Sequence, residues 1–183
     1  MPAYRHMVSE IDFMTEMVRS LSVYSRINLP DFNLKKALVS PSWLIEDAVE
    51  RYADVIRRKG VSFINKADGS LPPLMLDREQ MVRVMNNLLD NALQHCSPGG
   101  EISLGVFDNN GKTCFYVTDT GDGVPEAYRG KIFEPLFRVD PSRSRDTGGV
   151  GLGLAICKKI VELHGGEIFY EHDNGLTTFS FRL

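Results

Sequence analysis

The chain has 183 residues, 43% hydrophobic and 25% charged, with a net charge of -3. That length and balance fit one globular domain of ordinary size with an appendage, able to bury a core without disulfides or metals. The acidic balance lacks the basic footprint of a phosphate-backbone binder, so no nucleic-acid partner is expected. Cys96, Cys114 and Cys157 are odd in number and form no CxxC pair. Buried thiols in a reducing compartment follow. No apolar run nears the ~20 residues that cross a bilayer, and Met1 to His6 lack a secretory-signal pattern. A cytoplasmic location is expected, with any anchor in the cell membrane belonging to a longer parent.

Residues 4–27 place Met7, Ile11, Met14, Val18 and Leu21 at spacings of four and three, with Tyr24 and Ile27 beyond. This seam suits a bundle or coiled coil, and Asn28-Leu29-Pro30-Asp31 ends it. Residues 1–30 are therefore read as a helical arm built to pair with another chain, and 31–183 as the domain proper. Ala37-Leu38-Val39 is a short strand. Ser40-Pro41 opens a helix that runs to Lys59 and stops at Gly60. Val61 to Ile64 and Leu74 to Leu76 are strands, and Asp77 caps a helix to about Cys96. Glu101 to Phe107 and Thr113 to Thr118 alternate as paired strands around the turn Asp108-Asn109-Asn110-Gly111. From Asp119 to Gly153 the chain is rich in Gly, Pro, Asp and Arg, a long loop of the kind that carries function. Leu152 to His164 is a helix before Gly165-Gly166, and two strands close the chain. The order gives an α/β sandwich, one mixed and largely antiparallel sheet with about three helices on one face.

On the helix after Asp77, residues Met81, Val84, Met85, Leu88, Leu89 and Ala92 share one arc. Asn87, Asn91 and Gln94 form an adjoining polar strip with His95 at its edge. Asparagine is a mediocre helix former. Two of them a turn apart suggest amides wanted for binding: the oxygen can ligate Mg²⁺, and the NH₂ can donate to phosphate. A solvated polar face is the competing explanation. Gly111-Lys112-Thr113 imitates the end of a P-loop, but position 106 is Val and the context is a hairpin, so no P-loop is expected.

Asp119-Thr120-Gly121-Asp122-Gly123 puts a carboxylate at a strand end beside glycines that allow close backbone approach. Gly149-Val150-Gly151-Leu152-Gly153 leads into a helix, whose free N–H groups and positive dipole end favour phosphate. Taken in order, the motifs resemble the four boxes of the sensor histidine kinase catalytic domain, within the superfamily that includes gyrase B, MutL and large heat-shock chaperones. Asn87 to Ala92 resembles the N box, Asp119 to Gly123 the first glycine box, Lys131 to Arg138 the F box, and Gly149 to Leu154 the second glycine box. The resemblance covers about residues 39–183 and implies a Bergerat-type ATP-binding fold. The arm is similar to the end of a dimerisation helix.

The resemblance implies roles. Asn91 ligates Mg²⁺ between the phosphates of ATP and Asn87 supports the phosphate end. Asp119 accepts from the adenine amino group, and Gly121 and Gly123 let the base approach. Phe133 packs at the base of a lid from about Glu134 to Gly149. Gly149, Gly151, Leu152 and Gly153 wrap the phosphates. Arg138 neutralises the departing γ-phosphoryl group, Arg143 and Arg145 are weaker candidates, and Thr177 sits near the adenine. Gln94 stands where the family often has a cation, which shifts that contact toward His95 or Arg138. Val150 stands where a hydroxyl is common.

The hydrolytic members of that superfamily carry a glutamate four residues before the metal-binding asparagine. Here that position is Asn87, and an amide is no general base at neutral pH. A kinase is therefore expected rather than a hydrolase, with ATP and Mg²⁺ as cofactors and an outside imidazole as nucleophile. None of the chain's histidines lies in the family's phosphoacceptor pattern. His164 reads as structural, and His172 as part of a surface turn. The expected partners are the histidine-bearing dimerisation helices of a parent kinase, a response regulator reached indirectly, and a second copy through the N-terminal helix. A superfamily ATPase, a docking module without chemistry, and a serine kinase acting on an anti-sigma partner are the competing readings.

Overall fold

The computed structural model describes residues 2–139 and 150–183. Helix α1 (Pro2–Ile27) is followed by β1 (Ala37–Val39), α2 (Pro41–Lys59), β2 (Ser62–Ala67), β3 (Leu74–Leu76) and α3 (Arg78–His95). Strands β4 (Glu101–Asn109) and β5 (Lys112–Asp119), a 3₁₀ turn (Glu126–Lys131), α4 (Gly153–Leu163), β6 (Glu167–Asp173) and β7 (Leu176–Arg182) complete the chain. The 3₁₀ turn falls inside the segment that composition marks only as loop.

The main sheet has the order β2-β4-β5-β7-β6. Only β2 and β4 run parallel; β4–β5, β5–β7 and β6–β7 are antiparallel. β1 and β3 pair apart from it as a two-stranded ribbon, Leu38 opposite Met75. The core lies between the main sheet and the helices. Ile102, Leu104, Val106, Phe115, Val117, Phe179 and Phe181 meet Leu44, Ile45, Met81, Met85, Leu88, Leu89 and Ile160, all essentially buried. Phe115 stacks on Phe181 with centroids 4.8 Å apart.

Local chemistry fixes the ends of these elements. Gly60 ends α2 in the left-handed region (φ 70°), donating to Arg57 O, a conformation glycine adopts without a Cβ penalty. Asp77 caps α3 by accepting from Gln80 N–H at 3.2 Å and ties in the chain before β1 by accepting from Lys35 N–H at 2.8 Å. Asn110 (φ 55°) and Gly111 (φ 82°) turn β4 into β5, as two successive positive φ values require in a tight hairpin. Between α2 and α3, the Tyr52 hydroxyl donates to Asp90 Oδ1 at 2.8 Å.

α1 contacts α4, and its end is anchored by Ile27, which is buried. Met7, Ile11, Met14, Val18 and Leu21, the seam seen in the sequence, stay 53–67% exposed. Between the arm's end and α4 lies a cavity of about 450 Å³ lined in part by Tyr24, Asn28, Phe133 and Lys158. Among the described residues, no helix is long and apolar enough to cross a membrane.

Candidate functional site

The site begins where β5 ends, in the middle of the sheet. Asp119 is buried there, opposite Thr177 of β7. Its Oδ1 accepts the Gly121 N–H at 2.7 Å. Burial pushes the Asp119 pKa up to about 6, against the opposing pull of the Gly121 N–H, His172 and Lys59. A carboxylate costs free energy when taken from water, so one kept in such a place has a task for its remaining lone pairs.

Gly121 and Gly123 are glycines for steric reasons. A Cβ on Gly121 would fall 2.6 Å from Asp119 Oδ1 and 2.9 Å from the His95 carbonyl oxygen. Gly123 has φ 71°, and a Cβ there would lie 2.4 Å from His172 Nδ1. The turn is held from the far side as well. Thr177 Oγ1 donates to Gly121 O at 3.3 Å, and the Val124 N–H donates to the Tyr170 hydroxyl at 2.6 Å. His172 is not in a turn but in β6, paired with Thr177 in register. Surface-type residues around it hide this in the sequence.

α3 forms the second wall. Asn87, Asn91 and His95 recur every four residues and so share one stripe, about 12 Å long at 1.5 Å per residue. The stripe is clamped at both ends. Asn87 Nδ2 donates to Gly153 O at 3.2 Å, and Gly121 touches the backbone at His95. Asn91, half-buried, lies between the two clamps. Gln94 and His95 are exposed beside it. Desolvation at the ring lowers the His95 pKa, with Lys59 adding to the effect and Asp122 opposing it.

The third wall is the start of α4. Its first internal bond runs from Ile156 N–H to Leu152 O, so the N–H groups of Gly153, Leu154 and Ala155 have no partner within the helix. Leu152 is buried and anchors the turn. Gly151 (φ 76°) admits the F-box chain: a Cβ there would lie 2.9 Å from Phe137 O and 3.1 Å from Arg138 Cγ. Leu136 N–H in turn donates to Gly151 O at 2.9 Å. Phe133 is half-buried and meets Phe179 edge to face at 6.4 Å. Gly149, Arg143 and Arg145 lie outside the described residues. Among the described residues no three His, Cys, Asp or Glu side chains gather as a metal cluster; the side chain at the centre of the stripe is the Asn91 amide.

Three contacts thus draw the sequence motifs together: Asn87 to Gly153, Gly121 to His95, and Gly151 to Phe137 and Arg138. The sequence did not announce the row Asp119, Thr177, His172. Strand register creates it, and only the turn Asn174-Gly175 between β6 and β7 hints at that register.

Comparison with known proteins points to the same chemistry. Residues 76–183 match the family model described as Histidine kinase-, DNA gyrase B-, and HSP90-like ATPase. Alginate biosynthesis sensor protein KinB of Pseudomonas aeruginosa is 36% identical over 159 residues, 87% of this chain and 26% of that protein. Full-length ShkA, solved in complex with AMPPNP, superposes with a TM-score of 0.81 at 25% identity, over 93% of this chain and 35% of that one. Histidine kinase ThkA, solved in complex with response regulator protein TrrA, superposes with a TM-score of 0.79 at 25% identity, over 96% of this chain and 48% of that one. The chain spans between about a quarter and a half of these relatives. The match takes in the asparagine-bearing helix, the buried strand-end aspartate and both glycine turns, and on that ground the chain belongs to the family of histidine kinase-, DNA gyrase B- and HSP90-like ATPases.

Proposed function

We propose that this chain is the ATP-binding catalytic domain of a sensor histidine kinase, passing the γ-phosphoryl group of ATP to a histidine on the dimerisation helices of its parent. The residues present suit that ligand at both ends. Asp119 offers an acceptor to the adenine amino group in a buried setting. The N–H groups at the start of α4, which the helix itself does not use, suit the anionic end, where backbone donors and the helix dipole favour phosphate. The Asn91 amide oxygen is the protein's contribution to a Mg²⁺ held chiefly by phosphate oxygens. Bound Mg-ATP supplies the electrophilic phosphorus, and the protein's part is to hold and orient it. Arg138, beside Gly151 at the foot of the segment that continues to residue 149, is the cation for charge gathering on the γ-phosphoryl oxygens.

One observation carries the kinase reading over the hydrolase one. The Asn87 amide, standing where a hydrolase needs its base, donates to Gly153 O. It locks α3 to α4 and has no lone pair basic enough to take a proton from water. An imidazole presented from outside is then the nucleophile. None of the four histidines of this chain is proposed for that role. His164 accepts the Asp77 N–H at 3.0 Å and meets Ile160 O at 2.8 Å. His172 is bound to Thr177 at 3.0 Å. The exposed seam of α1 is the surface for a second copy, and a response regulator is the onward acceptor, as ThkA's complex suggests by analogy.

The test mixes this chain with a separate helix pair carrying a histidine in the family pattern, together with radiolabelled ATP and Mg²⁺. Label is expected on the helix pair and not on this chain. Steady phosphate release without transfer would reassign the protein as an ATPase, and failure to bind ATP would leave a docking module.

A further inference from the structure

His172 lies on a row of paired residues that crosses three strands: Asp119 in β5, Thr177 in β7 and His172 in β6. The hydrogen bonds along this row have a fixed direction. A carbonyl oxygen only accepts, so the Thr177 hydroxyl spends its one proton on Gly121 O at 3.3 Å. Thr177 Oγ1 must therefore accept from His172, 3.0 Å away, and the proton sits on Nδ1. Gly121 passes the constraint on: its carbonyl is held by Thr177 and its N–H by Asp119 Oδ1 at 2.7 Å. The imidazole is also the floor of the turn, so close to Gly123 that a Cβ there would sit 2.4 Å from Nδ1 and 2.7 Å from Cγ.

The circuit commits Asp119 Oδ1 to the protein and leaves Oδ2 as the oxygen for a ligand. A fixed carboxylate oxygen accepts from a base that presents an amino group and repels one that presents a carbonyl at the same place. A carboxylate free to rotate discriminates less well, because preorganisation is what makes a buried polar group selective. α3 meets this circuit at its C-terminal end, where Gly121 packs on the His95 backbone, and the Asn87 to Gly153 bond on the phosphate side is not part of it. The circuit belongs to the base end.

We propose that His172 is a positioning residue for base recognition: its donation to Thr177 and its packing under Gly123 hold the 121–123 turn and the Asp119 carboxylate in register, which sets the preference for adenine over guanine nucleotides. This rests on the nucleotide reading of the same pocket. His172 itself touches no reacting atom. It acts through Thr177 and Gly121.

Two variants of nearly equal shape separate donation from packing. His172→Asn keeps an N–H donor at the position of Nδ1, and His172→Leu has the same branching without it. Dissociation constants for ATP and GTP are measured on the whole chain by calorimetry or by competition with a fluorescent analogue. The ATP-over-GTP preference is expected to fall about fivefold or more in H172L, the scale of one lost hydrogen bond, and to recover in H172N. An H172L preference within about threefold of the unaltered chain, or no recovery in H172N, overturns the proposal. If H172L proves unfolded by circular dichroism, Thr177→Val removes the same relay with the ring left in place. A fall in preference there supports the proposal and an unchanged preference overturns it. Absence of ATP binding by the unaltered chain overturns the nucleotide reading itself, and this inference with it; selective loss in H172L on top of normal binding cannot arise that way.

Discussion

A carboxylate held out of water at Asp119 works against the fold that contains it. Its pKa stands at about 6, above the ordinary 3.8. Between those two values the folded chain keeps a proton that the unfolded chain has released. Stability therefore falls as pH rises through that window and stays lower above it. Replacing the charge shows this directly. Asp119→Asn is expected to melt a few degrees higher than the unaltered chain at pH 7.5, a gain on the order of 2 kcal/mol. The gap should close below about pH 4, and scanning calorimetry across pH would follow it. The same variant should lose ATP binding, since the amide turns a donor toward the adenine amino group. In the unaltered chain, ATP affinity should drop as pH falls through about 6. At the other end of the site, Asn91→Ala should weaken Mg-ATP roughly 10- to 100-fold. The loss should be much smaller with Mg²⁺ removed, because the amide oxygen is argued to act on the ion. Calorimetry with and without chelator distinguishes the two cases.

At the scale of elements, the site depends on α3 being held at its start as well as along its length. His164, the residue that ends α4, does this. Its Nε2 accepts the Asp77 N–H at 3.0 Å and its Nδ1 donates to Ile160 O at 2.8 Å. Only the neutral ring can do both. Burial lowers the His164 pKa, with Lys36 acting the same way and the Ile160 carbonyl and Asp77 opposing. A lowered folded-state pKa means that the unfolded chain binds the proton first. Stability is thus full above the unfolded value near 6.5 and declines as pH falls below it toward the folded value. Because Asp119 slopes the other way below about pH 6, that decline is read as a difference: His164→Ala should cost about 1–2 kcal/mol at neutral pH, and the gap between its melts and those of the unaltered chain should narrow from pH 7.5 to 5. Much at this scale was legible in the sequence. Pro41 and Gly60 bracket α2, Asp77 opens α3, and Asn110-Gly111 turns β4 into β5, because each of these acts through its own backbone. What the sequence did not show depends on partners far along the chain. β1 and β3 are both legible as strands, but their pairing with each other, Ala37 opposite Leu76 and Val39 opposite Leu74, is not. The row Asp119, Thr177, His172 exists only through strand register. The Asn87 to Gly153 lock joins residues 66 apart. The motifs name a chemistry to expect, and the packing names the contacts that tie the motif residues to one another.

At the scale of the whole molecule, α1 has two unlike sides. Ile27, with Phe13, Val23 and Tyr24, joins the domain core, while the stripe from Met7 to Leu21 faces out. An exposed apolar row of that length suits another helix, and this is the surface proposed above for a second copy. Analytical ultracentrifugation of the whole chain should give a concentration-dependent dimer, and replacing Ile11, Met14 and Val18 together with Lys should give a monomer whose ATP binding is unchanged within about twofold, since these side chains are exposed and none is a residue of the proposed site. Equal sedimentation of the two forms would remove α1 as the pairing surface.

The β4–β5 turn offers a practical handle. Asn110 is nine residues from Asp119 along β5, roughly 30 Å at 3.4 Å per residue, at the opposite end of the sheet's central strand. Cys96, Cys114 and Cys157 are all buried and so poorly accessible to reagents, and burial pushes the Cys114 thiol up and the Cys157 thiol up to about 12. A cysteine introduced at Asn110 would be the chain's single fast-reacting thiol, carrying one dye per molecule at a point where a tag cannot obstruct the nucleotide, with the mass of the adduct confirming the stoichiometry.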